Sequence, residues 1–210
     1  ELAIEQAGPD VARARMTSRV CRETGVQITR TLTMKAGETA WTVDHCLTNG
    51  SAAEVEWGPW DVSMVLRTGR VYLPRSPKSA YPEGVKTDAQ EDQSVLLRNS
   101  VVAKLGALAV IDCHGTKRFK YGVDAHEGWM LGVLDVAGLG LVGYCKQVPV
   151  FPGEPYAHGV VASVFNSDRY PYLEMETHGP LVRLPPGGRY EIEERQALRD
   201  VASWPEHENQ

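Results

Sequence analysis

Val26, Ile28, Arg30, Leu32 and Met34 alternate with Gln27, Thr29, Thr31 and Thr33. A period of two puts successive side chains on opposite faces, which suits a half-buried strand and not a helix. Lys35-Ala36-Gly37-Glu38 reads as a hairpin turn, and Trp41, Val43, His45 and Leu47 then share one face of the return strand. From Val11 onward the pattern is strand after strand. Asn49-Gly50 is a tight-turn signal. Residues 54–57 and 60–66 read as one strand bent at Gly58-Pro59. Further strands are predicted over Ser94–Leu97, Val101–Lys104, Leu108–Cys113, Arg118–Val123, Trp129–Asp135, Leu139–Gln147, Gly159–Phe165, Tyr172–Thr177 and Arg189–Leu198. Turns about every 10 residues, supplied by 20 Gly and 13 Pro, predict an antiparallel sandwich or barrel. Neither a repeat nor a shift in composition divides the chain, so one domain is expected over 1–210. Residues 1–10 are expected to form an N-terminal arm, 75–94 a long surface loop, and 203–210 a polar tail.

Several function classes are excluded. The 210 residues are 42% hydrophobic and 23% charged, as in a folded globular protein. No stretch approaches the ~20 apolar residues of a membrane-spanning helix. The net charge of −5 and the absence of a Lys/Arg run argue against nucleic acid, and no amphipathic membrane helix is present. Cys21, Cys46, Cys113 and Cys145 are widely spaced and read as separate thiols, with one or two disulfides as the alternative in an exported protein. No charged-then-apolar leader precedes the first residues, which points to the cytoplasm, with an exported mature form as the alternative. The chain has no phosphate loop and no nucleophile elbow, and its one Gly-x-Gly-x-x-Gly, at Gly138–Gly143, opens no helix. No metal-ligand spacing appears among the six His. No cofactor and no metal are therefore expected.

The segment Tyr172-Leu173-Glu174-Met175-Glu176-Thr177-His178-Gly179-Pro180 carries the sharpest chemical signal. As a strand it turns Leu173, Met175 and Thr177 to one side and Tyr172, Glu174, Glu176 and His178 to the other. Same-face neighbours then lie ~7 Å apart. Two acids, or an acid beside an imidazole, can perform general acid–base work. The alternative is a solvated polar face. His158 precedes a strand, where it can line a cleft, whereas His45 fits a core histidine. Five Trp invite a carbohydrate reading through indole stacking on sugar rings, with core filling as the alternative.

Trp41-Thr42-Val43-Asp44-His45-Cys46-Leu47-Thr48-Asn49-Gly50-Ser51 resembles the Leu-Thr-Asn element of the galactose mutarotase-like (aldose 1-epimerase) superfamily. Phe119-Lys120-Tyr121-Gly122-Val123 with Gly128-Trp129 resembles a stretch of an uncharacterised branch. Residues 172–180 are similar to its Glu-bearing strand. Leu184-Pro185-Pro186-Gly187-Gly188 with Glu193-Glu194 is similar to its closing strand pair. The resemblance implies an all-β, antiparallel β-supersandwich, with the first strands of that fold lying outside this chain. It also implies a Glu base in a Leu-Glu-Thr context, which Glu176 matches best and Glu174 next. The acid His of the family has no counterpart in residues 58–64, so Asp61 or His178 is expected to replace it, or nothing does.

The leading expectation is therefore an aldose 1-epimerase-like sugar mutarotase, with Glu176, His178 and Asp61 as catalytic candidates. Trp60, Trp129 and Tyr156 would form the sugar platform, and Glu174, His158 and Lys120 would complete substrate binding. The expected partner is a small-molecule sugar, with a second copy or another subunit completing the sheet. The second expectation is a non-catalytic carbohydrate-binding or scaffold domain. An accessory domain of a sugar lyase or hydrolase ranks third, because Glu174 and Glu176 share one strand and not opposite walls of a cleft.

Overall fold

A computed structural model of the chain describes residues 1–81, 84–87, 102–125 and 127–204. Strands are numbered in chain order. One antiparallel sheet runs β1 (Leu2–Ala7), β2 (Val11–Thr17), β3 (Val26–Lys35), β4 (Ala40–Asn49), β17 (Arg189–Asp200), β13 (Gly140–Gln147), β12 (Trp129–Val136), β7 (Gly69–Pro74), β10 (Leu108–Asp112) and β9 (Val102–Leu105). A second runs β6 (Trp60–Leu66), β15 (Tyr172–His178), β14 (Ala162–Asn166), β11 (Phe119–Val123) and β8 (Lys86–Thr87). The strands β16 (Val182–Leu184) and β5 (Val55–Trp57) form a separate pair.

The two large sheets pack face to face. Val71, Leu73, Ile111 and Met130 of the ten-stranded sheet meet Tyr121, Val164, Leu173 and Met175 of the five-stranded one in a single buried cluster. The sheets approach closely over Gly132, where an added Cβ would lie 2.7 Å from Met175 Sδ. The β3–β4 hairpin pairs Met34 with Trp41 and turns through Gly37, whose φ of 75° suits glycine. All four cysteines are free thiols. Among the described residues, no helix is long and apolar enough to cross a membrane.

Three sequence expectations are revised and one strand is added. The N-terminal arm is strand β1, paired antiparallel to β2 from Leu2↔Met16 to Ala7↔Ala12. The strand expected over 54–66 is two strands in different sheets. β5 pairs with β16 and β6 with β15, separated where Gly58 and Gly179 close on neighbouring backbone and on Pro59. Strand β7, placed by no sequence signal, holds Val71, Tyr72 and Leu73 all buried, so it shows no alternation to read. Within the expected surface loop, Lys86 and Thr87 form β8, the edge of the five-stranded sheet. The remainder of that loop beyond Thr87, the strand expected over Ser94–Leu97 and the tail from 205 onward lie outside the described residues.

Candidate functional site

The register of the five-stranded sheet assembles the site. Val62 pairs with Glu176, Glu176 with Ser163, Ser163 with Gly122, and Gly122 with Lys86. Directly paired residues share a face, so one row crosses all five strands on the side turned away from the core. The adjoining row carries Met64, Glu174, Phe165 and Lys120. Gly122 contributes no side chain, Val160 packs into the place one would take, and the two line a cavity of about 190 Å³. Lys86, Thr87, Lys120, His158 and Ser163 complete its lining. A Cβ at Gly122 would lie 2.9 Å from Val160.

Glu176 sits beside this cavity and is fully buried. Its Oε2 accepts from Lys120 Nζ at 2.7 Å, Ser163 Oγ at 2.8 Å and Trp60 Nε1 at 3.1 Å. Its Oε1 is buried without a hydrogen-bond partner. Ser163 Oγ also lies 2.9 Å from His178 Nε2. A carboxylate only accepts, so the serine proton goes to Glu176 and His178 Nε2–H donates to the serine oxygen. Burial, reinforced by His158, Lys120 and Lys146, pushes the His178 pKa down to about 3. His178 is therefore neutral at neutral pH. Trp60 covers the group, with its ring stacked on His178 at 6.1 Å, edge-on to His158 at 5.6 Å and 4.9 Å from Lys120 Nζ. The indole remains 47% exposed. Burial and the neighbouring Glu176 raise the pKa of Glu174.

Of the residues singled out in the sequence, Glu176, His178, Trp60, Lys120 and His158 come together here, with Glu174 one strand repeat away. Asp61, Trp129 and Tyr156 do not. Asp61 pairs with Thr177 and shares its face, which looks between the sheets. Trp129 opens β12 in the other sheet and donates to Glu127 Oε2 at 2.9 Å. The Tyr156 hydroxyl accepts from Phe151 N at 3.1 Å, and its ring packs against the core. Ser163 and Lys86 were not singled out. Neither belongs to a linear motif, and only the pairing register brings them into the row that holds Glu176.

Asp61 belongs to a second polar cluster between the sheets. Lys146 Nζ, wholly buried, lies 2.7 Å from Asp61 Oδ2, 3.4 Å from Glu194 Oε1 and 3.2 Å from Met175 O. Arg30 reaches Asp61 Oδ1 at 3.3 Å. Thr177 and Gln196 donate to Glu194, and Tyr144 and Trp41 donate to Gln196 Oε1 at 2.7 and 3.0 Å. Burial opposes the charge on Asp61, but the Lys146 ammonium prevails and holds its carboxyl below the usual range. Burial raises Glu194, against the pull of Lys146. His45 stands 4.0 Å from Asp61, with its pKa pushed down to about 4, chiefly by burial. His45, Asp61 and Glu194 bring potential metal-ligating atoms within 4.8 Å of one another, a set absent from linear spacing. The Lys146 ammonium fills the place a cation would take between the two carboxylates. The cavity here is about 10 Å³, scarcely one water.

A larger depression of about 620 Å³ lies on the opposite, solvent-facing side of the ten-stranded sheet. Most of its lining is exposed or half-buried, whereas the smaller cavity adjoins the buried Glu176 carboxylate and two of its donors and is the better candidate.

No protein-family model and no curated protein matches the sequence. Solved structures do match. A TPR-domain containing protein from Parabacteroides distasonis aligns with a TM-score of 0.61 at 13% identity, over 97% of this chain and 35% of its own. A candidate aldose 1-epimerase from Klebsiella pneumoniae aligns with a TM-score of 0.56 at 12% identity, over 93% and 52%. A galactose mutarotase-like protein from Lactobacillus casei aligns with a TM-score of 0.55 at 9% identity, over 95% and 73%. The fold is thus an antiparallel β-supersandwich of the galactose mutarotase-like kind. This chain spans only about a third and a half of the first two structures' lengths.

Proposed function

We propose that the protein is a carbohydrate-active domain that interconverts the anomers of an aldose, as an aldose 1-epimerase does. The observation that carries this reading is the Glu176 carboxylate, held by Lys120, Ser163 and Trp60 beside a cavity that Lys120 and Ser163 line. Opening a pyranose requires a proton to leave the anomeric O1 and another to reach the ring oxygen O5. Ser163 Oγ takes the O1 proton as it passes its own to Glu176, and the Lys120 ammonium donates to O5. The C1–O5 bond breaks, C1=O1 forms, and the open chain faces glutamic acid and a neutral amine. Rotation about C1–C2 presents the other face of the aldehyde, and reversal returns both protons. Lys120 thus takes the place of the acid histidine absent from residues 58–64. His178, neutral and bonded to Ser163, orients the hydroxyl. Trp60 offers its exposed indole face to the sugar.

Polarimetry on freshly dissolved α-anomers of several aldoses and uronates tests this. The protein should accelerate equilibration, and Glu176→Gln and Ser163→Ala should each lose about 100-fold or more of that acceleration. No acceleration with any sugar of the panel rejects catalysis. One observation favours a second reading, a non-catalytic sugar-binding domain: Glu176 is wholly buried beneath Trp60 and Lys120. Under that reading the protein binds sugar but leaves equilibration untouched.

A further inference from the structure

Resting on the sugar-binding reading of the cavity beside Gly122, we infer that the sugar is anionic, with its carboxylate or phosphate held by Lys86. Among the described residues, the charged side chains lining the cavity are two lysines. Lys120 is balanced by Glu176 at 2.7 Å. Lys86 has no carboxylate partner among the described residues: its Nζ donates to His158 O at 2.6 Å and lies 5.5 Å from the Tyr81 ring, both neutral. An ammonium has three donors, so two remain for a ligand. A cavity whose described charged lining is cationic suits an anionic ligand, in a chain of net charge −5.

The lysine is also held in place, unlike a free surface side chain. Its backbone pairs with Gly122 as the last member of the site row. The loop that receives its hydrogen bond is fixed by Tyr81 Oη, which donates to Gly159 O at 3.0 Å. Gly159 has φ +64°, and a Cβ there would meet that hydroxyl at 2.3 Å, so the loop and Tyr81 fit only with glycine. Ser163, Gly122 and Lys86 occupy neighbouring strands, which sets the outer two backbones about 10 Å apart. The lysine stem shortens that gap toward the dimension of one sugar ring. The ring lies against Val160, which packs over Gly122, with its anomeric end at Ser163 and Lys120 and its anionic end at Lys86. A uronate and a sugar phosphate share this chemistry.

Calorimetric titration of the whole chain with glucose, glucuronate and glucose 6-phosphate tests the inference, with acetate and inorganic phosphate as ring-free probes. At least one anionic sugar should bind about tenfold tighter than glucose, the effect of one charge-assisted hydrogen bond. The tighter of the two identifies the source of the anion. Lys86→Gln should bring the anionic-to-neutral ratio close to one, and Lys86→Arg should keep it. Equal binding of glucose and both anions overturns the inference and leaves the sugar reading standing, as does a ratio unchanged in Lys86→Gln. Binding of inorganic phosphate without any sugar overturns the sugar reading and this inference together, as does no binding at all.

Discussion

Strand β15 runs between two lysine–carboxylate clusters, one against each face. On the outer face Lys120 lies 2.7 Å from Glu176, and on the inner face Lys146 lies 2.7 Å from Asp61. The pair chemistry is the same and the access is not. Lys146 is wholly buried, its carboxylate neighbours are bound by Thr177, Gln196 and Arg30, and about 10 Å³ of space adjoins it. The Lys120 side chain is 29% exposed and opens on about 190 Å³. Buried ion pairs therefore do not by themselves mark a site of chemistry. The inner cluster ties β15 to β13 and β17 across the sheets, and the outer one faces a space that a ligand can enter.

Removing each lysine should separate the two roles. Lys146→Met strands Asp61 and Glu194 between the sheets and should cost about 3–5 kcal/mol of stability in urea denaturation. Lys120→Met leaves Glu176 two donors and should cost about 1–2 kcal/mol. Equal losses would erase the distinction.

Acid should weaken both faces. His45 and His178 are held at about 4 and about 3, in each case chiefly by burial. Arg30 and Lys146 face His45 as further cations, with Asp61 opposing them, and His158, Lys120 and Lys146 surround His178. Both rings stay neutral in the fold while the unfolded chain takes up protons below pH 6.5. Stability is then greatest above that pH and falls as pH drops toward 4, by up to about 1.4 kcal/mol per pH unit for each histidine. His178→Gln should halve the slope of denaturation free energy against pH. A flat profile between pH 6.5 and 4 would contradict this assignment.

The smallest expected effect concerns the indoles. A sugar-dependent change in tryptophan emission should vanish in Trp60→Phe and persist in Trp129→Phe, whose ring lies in the other sheet. The first substitution also removes one hydrogen bond to Glu176, worth about 1 kcal/mol. The reverse pattern would move the ligand away from the five-stranded sheet.

Much of the architecture was legible in the chain because half-buried strands announce themselves by alternation. β3, β4 and β15 follow their predicted faces, and Glu176 and His178 share a side as the period of two requires. β7 was hidden for the opposite reason, since both its faces are buried and its side chains do not alternate. β1 is mostly exposed, so little burial pattern distinguished it from an arm. Asp61 was misplaced because adjacent strand residues face opposite ways, and its neighbour Trp60 holds the outer position. Ser163 and Lys86 depend on pairings between segments far apart in sequence, which periodicity cannot register. Asn49-Gly50, read as a simple turn, does more. Asn49 is buried and donates to Ala53 O and Leu184 O at 2.8 Å each, and a Cβ at Gly50 would lie 2.6 Å from Val20.

On the proposed reading, the outer face of β15 performs chemistry and the inner face maintains structure. The most direct test is the rate of α/β anomer exchange by NMR saturation transfer in wild type, Glu176→Gln and Thr177→Val, each verified as folded. Adjacent residues are then altered on opposite faces of one strand. Exchange accelerated by wild type, lost by about 100-fold or more in Glu176→Gln and retained within a few-fold in Thr177→Val is the predicted result. Equal loss in both variants, or acceleration that survives Glu176→Gln, would contradict it.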